Sequence, residues 1–338
     1  MEKILNVLYQ SDNNYAELTG VSIVSLYENN KHIDQLNVYL LNDNISEENL
    51  ELMKTTAKNY NREITIVDTK EILNRLIELK VEPYKNTYTT YFKLFAINQL
   101  KLPTNRLLQL DGDTIINEPL DELIDMDIDQ CVCAATYASI LNDYKKCVNI
   151  PENDKYYNCG VLLINTDFWK EYKCEEKIVY HLTHERNRYF IVDQDIINVL
   201  FRDKIKYLHL KYNFNSGYYI YGIDGSIKIY NFKDEYYSSR KLIEEAYQKP
   251  YIYHCMGAMT GRPWEQDNIH PQNDLYDKYL NMSVWKDKPK KIVRRSFIFR
   301  MQRRLYLLLP LKLYIPIHKI ALKNYVNKMN KSVQKHDS

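Results

Sequence analysis

The sequence predicts an α/β fold, a mainly parallel central sheet flanked by helices, and three observations lead there. Strand-like apolar runs (KILNVLY, LNVYLLN, EITIVD) alternate with helical periodicity as far as residue 79. A further run, Leu107 to Leu110, ends abruptly at Asp111-Gly112-Asp113, and another, Val161 to Ile164, is entered through the polar Asn158-Cys159-Gly160. Strands joined by helices pair in parallel through right-handed crossovers, and ligands bind such sheets in the crevice at the carboxyl ends of the strands. Two carboxylates at a strand end are therefore the stretch around which the chain is organised.

Length and composition agree with a large core. A chain of 338 residues with 45% hydrophobic and 13% aromatic side chains has enough apolar surface to offset chain entropy, which excludes general disorder. Its six cysteines (131, 133, 147, 159, 174, 255) form neither a dense disulfide framework nor a CxxC pair, and are expected to stay reduced in a cytosolic protein. The start, MEKILNVLYQ, lacks the apolar stretch and cleavage site of a signal peptide. No run of about 18 apolar residues predicts a transmembrane helix.

In order, residues 3–9 read as the first strand, VSIVSLYENN (21–30) as a helix and 36–42 as the second strand. Ser46, followed by Glu47 and Glu48, is the expected N-cap of a helix to about Asn59. Residues 63–68 are the third strand, with another helix to about Leu79. Residues 87–100 read as an amphipathic helix carrying one cation, Lys93, which either reaches a pyrophosphate or snorkels to solvent. After the Asp-Gly-Asp strand come an acidic stretch, a strand at CVCAAT (131–136), a loose excursion over 137–157 and the strand 156–165. A helix follows from about Thr166; Val192-Asp193-Gln194-Asp195 precedes a helix IINVLFRD, residues 204–215 supply one more strand and a polar turn, and YIYHC (251–255) the last strand.

Several residues on this frame carry chemistry. Asp111 and Asp113 alternate to one side of extended backbone, and Gly112 lets a ligand come close. Two adjacent carboxylates repel unless a cation or a shared proton offsets the repulsion. Asp111-Gly112-Asp113 is thus either a divalent-metal site holding phosphate oxygens or a solvated acidic turn. Ser11-Asp12-Asn13-Asn14-Tyr15 ends the first strand, as an Asx-type turn or as a cluster reading a base and ribose with Tyr15 to stack. GxGxxG and GxxxxGK[ST] are absent there. Asn158 suits a sugar hydroxyl, and Gly160 suggests a tight turn or close backbone approach. Asp193 and Asp195 are helix caps, or Asp193 and Gln194 face a reacting sugar. His254 at a strand end, with the glycine-bearing loop and Arg262 of HCMGAMTGRPW, fits a metal-binding imidazole beside a phosphate-covering loop.

Taken together and in this order, SDNNY, TTYFKL, LQLDGDT, YYNCGVLLIN, DQDIIN, KYNFN and HCMG…RPW resemble the family 8 glycosyltransferases, from about residue 3 to 275. That family includes bacterial lipopolysaccharide glucosyl- and galactosyltransferases and glycogenin. The resemblance implies a GT-A type single nucleotide-sugar-binding domain over 1–285, with its nucleotide-binding part at about 1–117 and its acceptor and sugar part at about 118–285. It implies a UDP-hexose donor, Mn²⁺ (or Mg²⁺), and transfer of glucose or galactose with retention to a glycan, lipid-linked or on the cell surface. Asp12, Asn14 and Tyr15 then match uridine contacts. Asp111, Asp113 and His254 match metal ligands, while Lys93, Asn158, Asp193 and Gln194 match donor-sugar or pyrophosphate contacts, the last two nearest the reaction. Gly257 and Arg262 match the pyrophosphate loop. That loop departs from the family pattern H-x-x-G-x-x-K-P-W by two extra residues and by arginine for lysine, and the two cations are not equivalent. The rival readings are a haloacid-dehalogenase-like phosphatase, whose DxDxT strand end LQLDGDT also resembles, and a non-catalytic nucleotide-sugar binder of the same fold. The first places its aspartate near the N-terminus and leaves the other motifs unexplained; the second is opposed by intact Asp-Gly-Asp, Asp-Gln-Asp and His254.

Charge divides the chain unevenly. From Lys286 onward fifteen Lys and Arg face two Asp and Glu, whereas the first 285 residues carry 31 basic against 42 acidic side chains. In 286–338 the cations alternate with Phe, Leu, Ile and Tyr, which predicts interfacial amphipathic helices on an anionic membrane, broken at Pro310 and Pro316. A partner-docking segment and a nucleic-acid contact are the other readings of such a stretch. An enzyme building glycans has reason to meet lipid and none to meet DNA, so the expected location is cytoplasmic, peripheral on the inner face of the cytoplasmic membrane.

Overall fold

The structure is a computed structural model describing residues 2–186, 189–233, 237–257 and 259–334, with side chains to 331. Ten strands are present among the described residues: β1 (Ile4–Asp12), β2 (Gln35–Asp43), β3 (Ile64–Asp68), β4 (Arg106–Leu110), β5 (Thr114–Ile116), β6 (Cys133–Tyr137), β7 (Tyr157–Asn165), β8 (Ile205–Tyr207), β9 (Phe214–Asn215) and β10 (Ile252–His254). Seven form one sheet in the order β3-β2-β1-β4-β7-β6-β8, and β5-β10-β9 form a second. In the large sheet only β7 runs against its neighbours β4 and β6; the other pairings are parallel.

Both faces of the large sheet are covered, which is why its strands read as continuous apolar runs. Side chains alternate between two cores. Leu5, Val7 and Tyr9 of β1, with Val161 and Leu163 of β7, pack against Leu18, Val21, Met53 and Tyr279. Leu8, Leu162 and Ile164 face the other way, onto Phe92, Phe95, Trp169 and Phe201.

Helices begin where their caps allow. Ser46 caps Glu47–Asn59, its Oγ accepting from Asn49 N at 3.3 Å. The first helix is Ala16–Asn29, five residues earlier than periodicity predicts, because the turn Asp12–Tyr15 closes at once: Asp12 Oδ1 accepts from Tyr15 N at 2.9 Å. Asp193, Gln194 and Asp195 lie within the first turn of Val192–Phe201 rather than before it. Residues 204–215 are not one strand. β8 joins the large sheet and β9 the small one, with the 3₁₀ turn Leu210–Tyr212 between them.

The segment after Trp285 folds back on the body. Trp285 is fully buried against Gly20, where a Cβ would stand 2.1 Å from its ring. Two helices follow, Phe297–Leu308 and Leu311–Gln334. Pro310 separates them, but Pro316 lies inside the second, contrary to expectation. The adjacent Tyr314 and Ile315 are buried against Ile220, Tyr221 and Ile229, so packing retains the helix where propensity would end it. All six cysteines are free.

Candidate functional site

The site lies where β4 ends and β5, β10 and β9 cross its mouth. Asp111 continues the ladder by one bond, its N–H donating to Gly160 O at 2.8 Å. The chain then turns at Gly112, where a Cβ would meet Thr19 Oγ1 at 2.4 Å, so glycine is required for close packing against the first helix. Asp113 enters β5, and its carbonyl accepts from Cys255 N at 2.9 Å, fixing the Asp-Gly-Asp turn to the strand that delivers His254.

Asp111, Asp113 and His254 bring potential ligand atoms within 4.8 Å of one another. His254 Nε2 stands 3.2 Å from Asp113 Oδ1. Its Nδ1 is 3.0 Å from Asn213 Oδ1, and Asn213 Nδ2 donates to Asn158 Oδ1 at 2.7 Å. With Nδ1–H donated to the amide, Nε2 faces the carboxylates with its lone pair free for a cation, the arrangement found at metal-binding histidines. Gly160 lies under this ring: a Cβ there would be 2.3 Å from His254 Cε1. The close approach expected of Gly160 is thus to the imidazole. Two oxygen donors and one such nitrogen fit a divalent cation.

Cations frame the carboxylates. Lys93 does not snorkel; it is 2% exposed, because Asp111 Oδ1 at 3.1 Å, Asp193 Oδ2 at 2.5 Å and Cys159 O at 3.2 Å hold its ammonium inside. Burial alone would lower the Lys93 pKa, but Asp111 and Asp193 outweigh it and raise it. Burial pushes the Asp193 carboxyl up, with Lys93 pulling against it. For Asp113, burial also acts upward, yet His254 and Arg262 together hold it below the ordinary carboxylate range. Arg262 Nη1 reaches Asp113 Oδ2 at 3.2 Å, and a Cβ on Gly257 would stand 2.8 Å from Arg262 Cγ, so Gly257 and Arg262 pack together.

Gln194 is buried, its Oε1 accepting from Cys159 N at 3.2 Å and its Nε2 donating to Tyr156 OH at 3.3 Å. Asp195 is read from sequence only as a cap, and it does accept from Ile191 N at 2.9 Å. It is also fully buried, receives the hydroxyls of Tyr144 and Tyr156, and has its pKa pushed up to about 6 by burial. Tyr144 comes from the 137–157 excursion, which therefore packs behind the site. Asn213 and Asp195 are the residues that sequence reasoning missed. A polar side chain between Tyr212 and Phe214 was the available sign of the first.

At the end of β1, Asp12 is half-buried while Asn14 and Tyr15 are exposed, Tyr15 at 43%. Ser11 Oγ accepts from Thr19 Oγ1 at 3.2 Å, and Thr19 is the side chain beneath Gly112, so this cluster and the Asp-Gly-Asp turn share one support.

With this geometry in hand, relatives are informative. The lipopolysaccharide 1,2-glucosyltransferase of Escherichia coli strain K12 is 28% identical over 304 residues, covering 88% of this chain and 83% of that protein. General stress protein A of Bacillus subtilis strain 168 is 24% identical over 287 residues, covering 84% and 96%. Among solved structures, the galactosyltransferase LgtC in complex with donor and acceptor sugar analogs superposes with a TM-score of 0.65 at 19% identity, covering 88% of this chain and 99% of that one. The apo bifunctional glycosyltransferase WbbM gives 0.67 at 19% identity, covering 85% and 51%. These likenesses establish the GT-A fold, and the family model described as "Glycosyl transferase family 8" matches residues 6–268. The chain belongs to that family and is a glycosyltransferase.

Proposed function

We propose that the protein transfers a hexosyl group, glucose or galactose, from a UDP-sugar to a glycan acceptor with retention of configuration. The observation that carries this reading is the convergence of Asp111, Asp113 and an amide-oriented His254 at a strand end, with Arg262 and Lys93 beside them. These three residues would hold Mn²⁺, or less favourably Mg²⁺, since one ligand is an imidazole. Bound there, the ion would neutralise charge on the departing diphosphate. Arg262, which contacts Asp113, has a planar fork suited to phosphate oxygens and would stabilise charge on the leaving group. Lys93 offsets the charges of Asp111 and Asp193 at the same wall. Asp193 and Gln194 are the polar groups nearest the sugar in this reading, and their role is to stabilise oxocarbenium character. Asn158 meets a sugar hydroxyl, and Asp12, Asn14 and Tyr15 read the uridine.

The acceptor we propose is lipid-linked or cell-surface saccharide, met at an anionic membrane. The relatives named for lipopolysaccharide support this, as does the tail: Ile292, Phe297, Ile298, Leu308, Leu313 and Ile320 are exposed among Arg294, Arg300 and Lys312. The association we propose is peripheral, on the inner face of the cytoplasmic membrane; no helix of the described residues is long and apolar enough to cross a membrane.

UDP release from a panel of UDP-sugars, with water as acceptor, tests the chemistry. One UDP-hexose is expected to be hydrolysed slowly with Mn²⁺ and not with EDTA. Absence of both hydrolysis and Mn²⁺-dependent UDP binding would overturn the reading.

A further inference from the structure

The basic segment that follows Trp285 touches both halves of the donor site before it reaches the exposed helices. Its backbone forms a single β-bridge with the turn that follows Arg262: Lys291 N donates to Trp264 O at 2.8 Å, and Gln266 N to Lys291 O at 2.9 Å. From that anchor the Lys291 ammonium crosses to the end of β1, where it donates to Asn14 O and lies 5.9 Å from the centre of the Tyr15 ring. Four residues on, Arg295 pairs with Glu265, and the same Glu265 Oε2 accepts from Arg262 N at 2.7 Å. Both partners are largely buried, with side chains 15% and 9% exposed, which a surface ion pair would not be. Gly261, at φ +76°, leaves the room this pair needs: a Cβ there would stand 2.8 Å from Glu265 Oε2 and 3.0 Å from Arg295 Nη2. Further along, Arg303 Nη1 bonds Asp267 Oδ2 at 3.0 Å and holds the far side of the loop.

A segment whose only task was to meet lipid would need none of these contacts. We infer that residues 288–303 form a strap of the donor site, in which Lys291 and Arg295 are positioning residues: Lys291 sets the Asn14–Tyr15 turn, and Arg295, through Glu265, sets Arg262. The inference rests on the UDP-sugar reading above and extends it, since donor binding then depends on the tail without any membrane.

The test uses the full chain in detergent without lipid and titrates UDP and uridine in the presence of Mn²⁺. Arg295→Met weakens UDP about tenfold, the scale of a lost hydrogen bond to a charged group, and leaves uridine unchanged, because its effect passes through a phosphate-facing arginine. Lys291→Met weakens both ligands. Lys328→Met, an exposed charge on the same tail, weakens neither. Loss of a buried partner leaves Glu265 uncompensated; if Arg295→Met does not fold, Arg295→Met with Glu265→Gln removes both charges and takes its place. The strap is overturned if the Arg295 variant binds UDP like the wild type, if it loses uridine and UDP alike, or if Lys291→Met binds both normally. A wild-type chain that binds no UDP would instead remove the donor reading, and the strap with it.

Discussion

At the scale of single residues, the state of each charged group follows from who shares its burial. His254 has Asp113 on one ring nitrogen and Asn213 on the other; although burial disfavours its charged form, the two aspartates raise its pKa. His270 keeps different company. It is buried, with its Nδ1 accepting from Gln272 N at 3.2 Å, and burial, aided by the charge of Arg262 and opposed by the backbone of Met256, pushes its pKa down to about 4. Its folded value lies below the unfolded value of about 6.5, so its contribution is fully present above pH 6.5 and is lost as pH falls toward 4, up to about 3 kcal/mol. Asp195 has the opposite sign: its raised pKa makes the folded state take up a proton first, so acid favours folding there. The difference between proteins isolates His270. Denaturant midpoints of His270→Asn and wild type should converge as pH falls from 7 to 4; parallel curves would contradict the assignment. Asp111, Asp113 and His254 were legible in sequence because polar residues at the ends of apolar runs stand out. The burial of Lys93 was not, since a lone cation on an amphipathic helix looks the same whether it meets water or two buried carboxylates.

At the scale of elements, alternation and caps revealed most of the frame, and tertiary contacts decided the rest. The runs 36–42 and 63–68 became β2 and β3 with ends shifted by a residue, and Ser46 capped its helix as its chemistry requires. The run 204–215 divided because β8 and β9 answer to different sheets, a partition no local pattern encodes. The start of the helix Val192–Phe201 was hidden because Asp193 and Asp195 suit both a loop and a first helical turn. The first helix offers a test of packing against propensity. Gly20→Ala gains up to about 1 kcal/mol of helix propensity, but its Cβ would stand 2.1 Å from the Trp285 ring. Overpacking a filled core costs typically about 1–3 kcal/mol, so a net loss of stability is predicted from the denaturant midpoint, with Trp285 fluorescence altered. A gain in stability would show that the Trp285 seat yields cheaply.

At the scale of the whole molecule, the sequence shows a charge boundary at residue 286 that packing does not respect. An acidic body and a basic segment are visible from composition, but the folding of that segment back onto the body depends on Trp285, Lys291 and Arg295 finding distant partners. Beyond the strap, its exposed apolar and basic side chains predict binding to vesicles containing anionic lipid, weakened by salt because surface attraction is screened within about 10 Å at 0.1 M. Equal co-sedimentation with neutral and anionic vesicles would contradict that prediction. Metal binding by the cluster at the end of β4 is tested most directly by following free Mn²⁺ by its paramagnetic resonance while UDP and protein are added. One Mn²⁺ bound per chain with UDP in the wild type, and at least about tenfold weaker binding in Asp113→Asn and His254→Ala, is the predicted result; equal Mn²⁺ binding by all three proteins would contradict it.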